Sequence, residues 1–332
     1  MTENFDLETN ETVEQMPTLD DALAEMTSDG DNLPSPDVLY GLSGLSSSEM
    51  ARLKPVWDAL DPTYCRILMQ MLVDASESNF ELNYAAIAYA NLNAKQAEVR
   101  QAAIELLWED ESESLLNRLI EIVQQDAHVL VRAEAAKSLG RFILLGELGN
   151  LSEDKTNHAQ DVLLNILQQD SVAVEIRCQA LESVANCTRK ELIALINEAY
   201  KSHDDDLRAS AIVAMGRTCD ARWEDNILDE LEEGDNQLES VRAAGELQLD
   251  EAVAHIVRLI PDANRELLEA IIWALGEIGG KEANRTLEIL SEKAESDSDD
   301  TLLDLIDDAI GNASLAIGDF AMHNFSGIAD ID

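Results

Sequence analysis

Aromatic side chains make up only 4% of the 332 residues, proline occurs 6 times and cysteine 4 times. Each scarcity excludes something. With so few rings, a core must be built from Leu, Ile, Val and Ala, which suits an elongated structure better than a globule with one centre. Proline and glycine are scarce and period-two alternation of apolar residues is missing, so an all-α chain is expected. Cys65, Cys178, Cys187 and Cys219 show no C-x-x-C spacing and follow no signal peptide, so they read as buried thiols of a reducing compartment. His128, His158, His203, His255 and His323 lie far apart in sequence and offer no metal-ligand spacing. No apolar run reaches the roughly 18 residues needed to cross a bilayer, and a soluble, cytoplasmic protein is expected. The phosphate-loop, zinc-protease and nucleophile-elbow patterns are all missing, so neither a catalytic residue nor a cofactor is expected.

Positive charge is the other scarcity. Against 67 Asp and Glu stand 23 Lys and Arg, a formal net charge of −44. A field of that sign repels phosphate backbones and anionic lipid, which argues against nucleic acid and membrane as partners. Two readings of the surplus stay open: solubility in a salt-rich habitat, or selection of another protein with a basic surface.

What the chain does contain is a recurring phrase, clearest in LVRAEAAKSLG (130–140) and DLRASAIVAMG (206–216). With its arginine as slot 0, the copies fall at Arg100, Arg132, Arg177 and Arg208, and in degenerate form at Gln237, Leu268 and Leu303. Slots −1, +3, +4 and +7 are apolar or small in nearly every copy, and those offsets share one face of an α-helix. Slot +8 holds Gly140, Gly216, Gly245, Gly276 and Gly311, where a left-handed residue ending the helix is expected. A second apolar helix precedes each phrase, as in 115–126, 161–170 and 252–262. Asp126, Asp170, Asp206 and Asp235 stand in the intervening turn, where a carboxylate accepts orphan backbone donors. The unit is helix, turn, helix, and a period of this length means stacked units.

This pattern resembles the HEAT repeat, in the short bacterial type named after the phycobilisome lyases, where a turn aspartate precedes V-R-x-x-A-x-x-x-L-G. The resemblance covers Glu98 to Gly311. The stretches Leu39 to Trp57 and Leu139 to Leu148 are similar to those of uncharacterised bacterial HEAT-repeat proteins. The fold it implies is an α-α superhelix, a HEAT-like solenoid with an atypical N-terminal helical cap.

Residues 1–35 are rich in acids without Lys or Arg and read as a disordered acidic tail, within which Met16 to Met26 has the spacing of a short amphipathic helix. Residues 36–93 read as a cap of three helices, with Trp57, Tyr64, Tyr84 and Tyr89 as packing residues and Pro62 in a helix's first turn. The repeats occupy 94–315, seven in all, interrupted by an insertion at 142–159. Phe142 to Leu145 either prolong the preceding helix or form an exposed contact, and the loop beyond, Gly146 to Lys155, is a candidate binding element. Residues 316–332 form a C-terminal tail, either folded over the last repeat or free.

In the resembled family the second helix of each unit lines the concave side. The outward slots +5 and +9 of that helix then carry Lys137, Arg141, Val213, Arg217, Arg242 and Trp273, a partner-binding stripe in which exposed Trp and Arg are the anchoring residue types. The alternative is that these arginines only neutralise acids of neighbouring helices. Arg100, Arg132, Arg177 and Arg208 are expected to bond turn aspartates or carbonyls as a structural ladder. Two functions follow: a non-catalytic scaffold that binds another protein on this stripe, or a bilin-lyase-like, chromophore-handling protein.

Overall fold

The apolar spacing becomes 18 α-helices among the described residues, with no strand. The structure, a computed structural model, describes residues 16–28 and 34–325, of which 314–325 and the side chain of Glu233 are described as backbone only. The chain divides into two compact units, residues 1–111 and 112–332.

In the first unit, α1 (Leu19–Met26) begins at a reciprocal cap in which Thr18 donates its backbone N–H and its hydroxyl to Asp21, 2.8 and 2.6 Å away. These bonds hold the Asp21 carboxyl below its ordinary range. Leu19 and Ala22 are buried, and α1 packs on α2 (Pro36–Gly41) and α3 (Ser47–Trp57). Over this stretch the helix expected from the spacing of Met16 to Met26 replaces the disordered tail expected from the composition of 1–35, because Leu19, Ala22, Leu23 and Met26 form a local apolar face. Residues 1–15 and 29–33 of the expected tail lie outside the described residues. Then come α4 (Pro62–Ser78), capped by Asp61 with Pro62 in its first turn, α5 (Ala85–Asn91) and α6 (Ala97–Glu105). Residues 36–93 therefore hold four helices rather than three. The helix of Arg100 belongs with them, so the first unit extends past the expected boundary at 93 to residue 111.

The second unit is six helix pairs: α7 (Glu113–Gln125) with α8 (Val129–Glu147), α9 (Glu153–Leu167) with α10 (Val174–Val184), α11 (Leu192–Tyr200) with α12 (Asp205–Arg217), α13 (Glu224–Glu233) with α14 (Gln237–Glu246), α15 (Val253–Leu259) with α16 (Arg265–Ile278), and α17 (Gly280–Asp297) with α18 (Asp300–Phe325). The second helices also pack on one another in succession, from α8 to α18. The apolar slots form the core: Val131, Ala135, Ala136 and Leu139 of α8, and Ile176, Ala180, Leu181 and Val184 of α10, are all 0% exposed.

The slot +8 glycines do not end helices. They lie inside or in the last turn of α8, α12, α14, α16 and α18, at negative φ, and all but Gly311 face the next second helix. A Cβ on Gly140 would lie 3.2 Å from the Ser183 Cα; on Gly216, 2.8 Å from the Ala243 Cα; on Gly245, 3.0 Å from the Ala274 Cα; on Gly276, 2.9 Å from the Ala309 Cα. The four opposing residues all occupy slot +6 of the following copy. Glycine is therefore retained for close helix approach, which leaves backbone against backbone where a side chain would stand. The left-handed residues come three positions later, at slot +11: Cys219 (φ 49°), Gln248 (φ 51°) and Gly279 (φ 70°).

The insertion is not a long loop. It lengthens α8 to 19 residues, burying Phe142 and Ile143 completely, and starts α9 at Glu153, leaving only 148–152 between them. A Cβ on Gly146 would meet the Thr156 side chain at under 3 Å, so the two prolonged helices are tightly apposed. Lys155 of this segment is paired with Glu113. At the C-terminus the backbone stays helical to Phe325, past the expected tail boundary at 316; no proline interrupts the chain after Asp300. Residues 326–332 lie outside the described residues.

Replacing Gly276 by Ala is expected to destabilise the protein by about 1–3 kcal/mol, as overpacking does. Gly311→Ala, where a Cβ meets open space, is expected to be neutral or stabilising by up to about 1 kcal/mol, because alanine is the better helix former. Urea midpoints of the two variants check this, and equal effects would refute the role assigned to slot +8.

Candidate functional site

The slot 0 arginines tie each second helix to what precedes it. Arg132 donates from Nε to the Val123 carbonyl in the last turn of α7, at 2.7 Å. Arg100 donates to the carbonyls of Ala94 and Lys95, at 2.8 and 3.2 Å. Arg177 pairs with Asp170 at 3.5 Å, and Arg208 pairs with Asp205 at 2.8 Å while donating to the Ser202 carbonyl. A cation placed at the free carbonyls of a helix C-terminus is favourable on both hydrogen-bonding and dipole grounds. The turn aspartates divide the remaining work unevenly. Asp126 accepts from the His128 N–H and Asp204 from the Leu207 N–H, at 2.8 and 3.0 Å. Asp206, expected as a cap, lies inside α12; the cap is Asp204, two residues earlier.

The outward slots run along α8, α10, α12, α14 and α16. Lys137 is exposed and stands 3.6 Å from Glu134 on its own helix. Arg141 is half-buried, with its guanidinium 4.9 Å from the ring centroid of Phe142. Val213 is half-buried. Arg217 donates to the Glu182 carbonyl of α10 at 2.8 Å and lies 3.9 Å from its carboxylate, which also accepts from Ser210 at 2.7 Å. Arg242 is 3.6 Å from Glu266 of α16. Trp273 is 40% exposed, with its ring edge over Gly245 of α14. Arg217 and Arg242 thus bridge consecutive helices by pairing with their acids, while Lys137 and Trp273 project outward.

Glu246, also at slot +9, stands between these two arginines. Burial pushes its carboxyl up, and the charges of Arg217 and Arg242 pull the other way. Its Oε2 is buried without a hydrogen bond, and it rests where a Cβ on Gly216 would be.

The cysteines are not presented as nucleophiles. Burial pushes the Cys65 and Cys178 thiols up to about 11 and raises Cys187 as well; Cys219 is exposed. Among the described residues, no group of three His, Cys, Asp or Glu is arranged to hold a metal ion, and no helix is long and apolar enough to cross a membrane.

Sequence reasoning missed one exposed cluster, in the first unit. Phe80 and Trp108 lie outside the helices and pair edge-on, with ring centroids 5.9 Å apart. The signal was present: Trp108 occupies slot +8, where five other copies have glycine. Leu144 on α8 and Leu148 just beyond its end also remain exposed, continuing the face of Lys137 and Arg141.

A family model described as HEAT repeats matches residues 85–174, from α5 to the start of α10. Nothing among the curated proteins matches. Two engineered proteins with crystal structures are similar: one at 17% identity, covering 70% of this chain and 97% of its own with a TM-score of 0.31, the other at 15%, covering 89% and 98% with a TM-score of 0.33. Among the described residues the fold is an all-α repeat of stacked helix pairs; the match over 85–174 is to HEAT repeats in general, without the narrower lyase type.

Arg132→Met is expected to cost about 1–2 kcal/mol, because it removes a charge-assisted bond to a helix-terminal carbonyl while keeping the aliphatic stem; chemical denaturation reads this directly. For Glu246, the raised folded value means that stability is fully present below the ordinary glutamate value of 4.5 and declines as pH rises through the folded one. Glu246→Gln is therefore expected to have a higher urea midpoint than the parent at pH 7, with the difference vanishing at pH 4. The opposite pH trend would contradict the burial argument.

Proposed function

We propose that the protein is a non-catalytic scaffold that recognises another protein along the second-helix face from α8 to α16, using Lys137, Arg141, Val213, Arg217, Arg242 and Trp273. The observation that carries this reading is Trp273, an indole left 40% exposed on a face whose Arg217 and Arg242 pair with acids of neighbouring helices. An indole offers a large contact area at low entropic cost, which is why tryptophan anchors interfaces.

The arginine pairs support the same reading in a second way. Arg217 and Arg242 are held by Glu182 and Glu266, so a partner meets guanidinium groups already ordered and loses less side-chain entropy on binding. The repeat fold itself favours a scaffold, since stacked helices present long continuous faces. In an acidic chain, a partner with a basic surface gains from long-range attraction, and Lys137 and Arg141 then set where it stops.

The test is a comparison of partners captured by the parent and by the Trp273→Ala, Lys137→Glu double variant, quantified by mass spectrometry. Loss of an anchoring tryptophan is expected to weaken a specific partner by about 30-fold or more, the effect of a hot-spot residue. The variant must keep the parent's helical circular dichroism and melting behaviour. Capture of the same partners in the same amounts by a folded variant would remove this face from the function.

A further inference from the structure

The slot 0 arginines are not equally answered. Arg177 meets a carboxylate seven residues before it, Asp170, and Arg208 meets one three residues before it, Asp205. In the Arg132 copy those two positions hold Gln125 and Val129. Arg132 donates from Nε to the Val123 carbonyl at 2.7 Å, which fixes its guanidinium, and among the described residues its Nη groups meet no acceptor.

Arg132 lines an open cavity of about 370 Å³ between the last turn of α7, the start of α8 and one face of α9. Val162 and Ile166, both buried, and Val172 form its apolar wall. Gln124, His158 and Asn165 add side chains that carry N–H donors. Asn165 is steadied through its Oδ1, which accepts from Gln169 at 2.5 Å. Asp161, the acid among these lining residues, is already paired with Arg189 at 3.0 Å.

The groove one pair further on shows what such an arginine takes. It measures about 290 Å³ and is built alike, from a slot 0 arginine (Arg177), a histidine (His203) and residues of the following first helix, α11. There Asp170 also lines the cavity, with its carboxylate 3.5 Å from the guanidinium. The chain thus fills one groove with its own carboxylate and, through Gln125, leaves the other without one.

We propose that the Arg132 groove binds a carboxylate on a short aliphatic body, supplied from outside the chain. The planar guanidinium matches the two carboxylate oxygens, and with Nε already bonded less side-chain freedom is lost on binding. Val162, Ile166 and Val172 cover the aliphatic part. A phosphate dianion fits less well: it brings more negative charge into the field of a chain of net charge −44 and offers nothing to the apolar wall. For a monocarboxylate the distant acids are screened beyond about 8 Å at physiological salt, and the guanidinium in contact decides. The same chemistry comes as a free acid or as an acidic side chain of a partner.

The test titrates hexanoate, and neutral hexanamide, into the full-length protein at about 0.15 M salt. Arginine Nε–H and histidine ring signals are followed by NMR, with Arg132→Lys assigning the first; a Gly/Ser peptide with one central glutamate forms a second arm. The Arg132 and His158 signals are expected to shift saturably with the carboxylate, and hexanamide to bind about tenfold or more weakly, as loss of a charged hydrogen bond requires. Gln125→Asp, at an exposed position, places a carboxylate where Asp170 stands in the next copy. It is expected to weaken the carboxylate probe by a similar factor, while Gln125→Asn leaves binding unchanged. Response to hexanoate alone assigns a free acid, and response to the glutamate peptide assigns a partner's side chain. No shift with either probe, equal binding of hexanoate and hexanamide, or undiminished binding by Gln125→Asp would each overturn the proposal. Trp273 and the outward slots take no part in these signals, so failure here is separate from failure of the second-helix face.

Discussion

The contact on which the second unit depends is made where there is least side chain. Glycine at slot +8 of one second helix sits against Ser or Ala at slot +6 of the next, at Gly140 and Ser183, Gly216 and Ala243, Gly245 and Ala274, and Gly276 and Ala309. Close approach at this point brings the apolar slots of neighbouring helices into register, and these are the residues with no exposure at all. Burial of that apolar face provides the driving force, while the glycines set the distance over which it acts.

Charge is arranged around this apolar ladder in two tiers. The slot 0 arginines face the turns ahead of their helices: Arg132 reaches a last-turn carbonyl of α7, Arg100 and Arg177 a turn carbonyl and a turn carboxylate, and Arg208 the first-turn Asp205 of its own helix. The outward arginines span consecutive second helices, at Glu182 and Glu266. A chain of net charge −44 pushes against its own compactness, and two of its few cations, Arg217 and Arg242, are placed against acids of a neighbouring helix. Glu246 marks the limit of this arrangement: it is close to two arginines, yet burial still dominates its carboxyl.

Much of this was legible in the sequence, because helical periodicity reports directly which residues are inside. The slots from −1 to +7 of the arginine copies, such as Val131, Ala135, Ala136 and Leu139, are those the core uses. Other features were not legible, for physical reasons. A glycine late in a helical pattern has two meanings, a left-handed cap or a close approach, and only the neighbouring helix distinguishes them; the cap at slot +11 is filled by Cys219 and Gln248, which carry no sequence signal for it. Phe142 to Leu145 read as prolonging the helix or as an exposed contact, and the burial of Phe142 and Ile143 fits the first. The short face of α1 was legible in the amphipathic spacing of Met16 to Met26, against the acidic composition of 1–35. Exposure is the hardest property to read, since Phe80 and Trp108 look like core residues in the sequence and become surface residues only through the turns that hold them.

The glycine contacts also turn the second unit into a ruler. Packed helix axes lie about 8–10 Å apart, and where two backbones touch there is no rotamer to lengthen or shorten that step. The outward slots of α8 and α10, and those of α12, α14 and α16, are consequently set a fixed step apart, while the step from α10 to α12 carries Ala185 at slot +8. An extended peptide advances about 3.3 Å per residue, so one laid across these helices would meet a new slot about every third residue. Recognition along such a face depends on spacing in the partner as much as on composition, and a partner with the right residues at the wrong interval gains only one contact at a time.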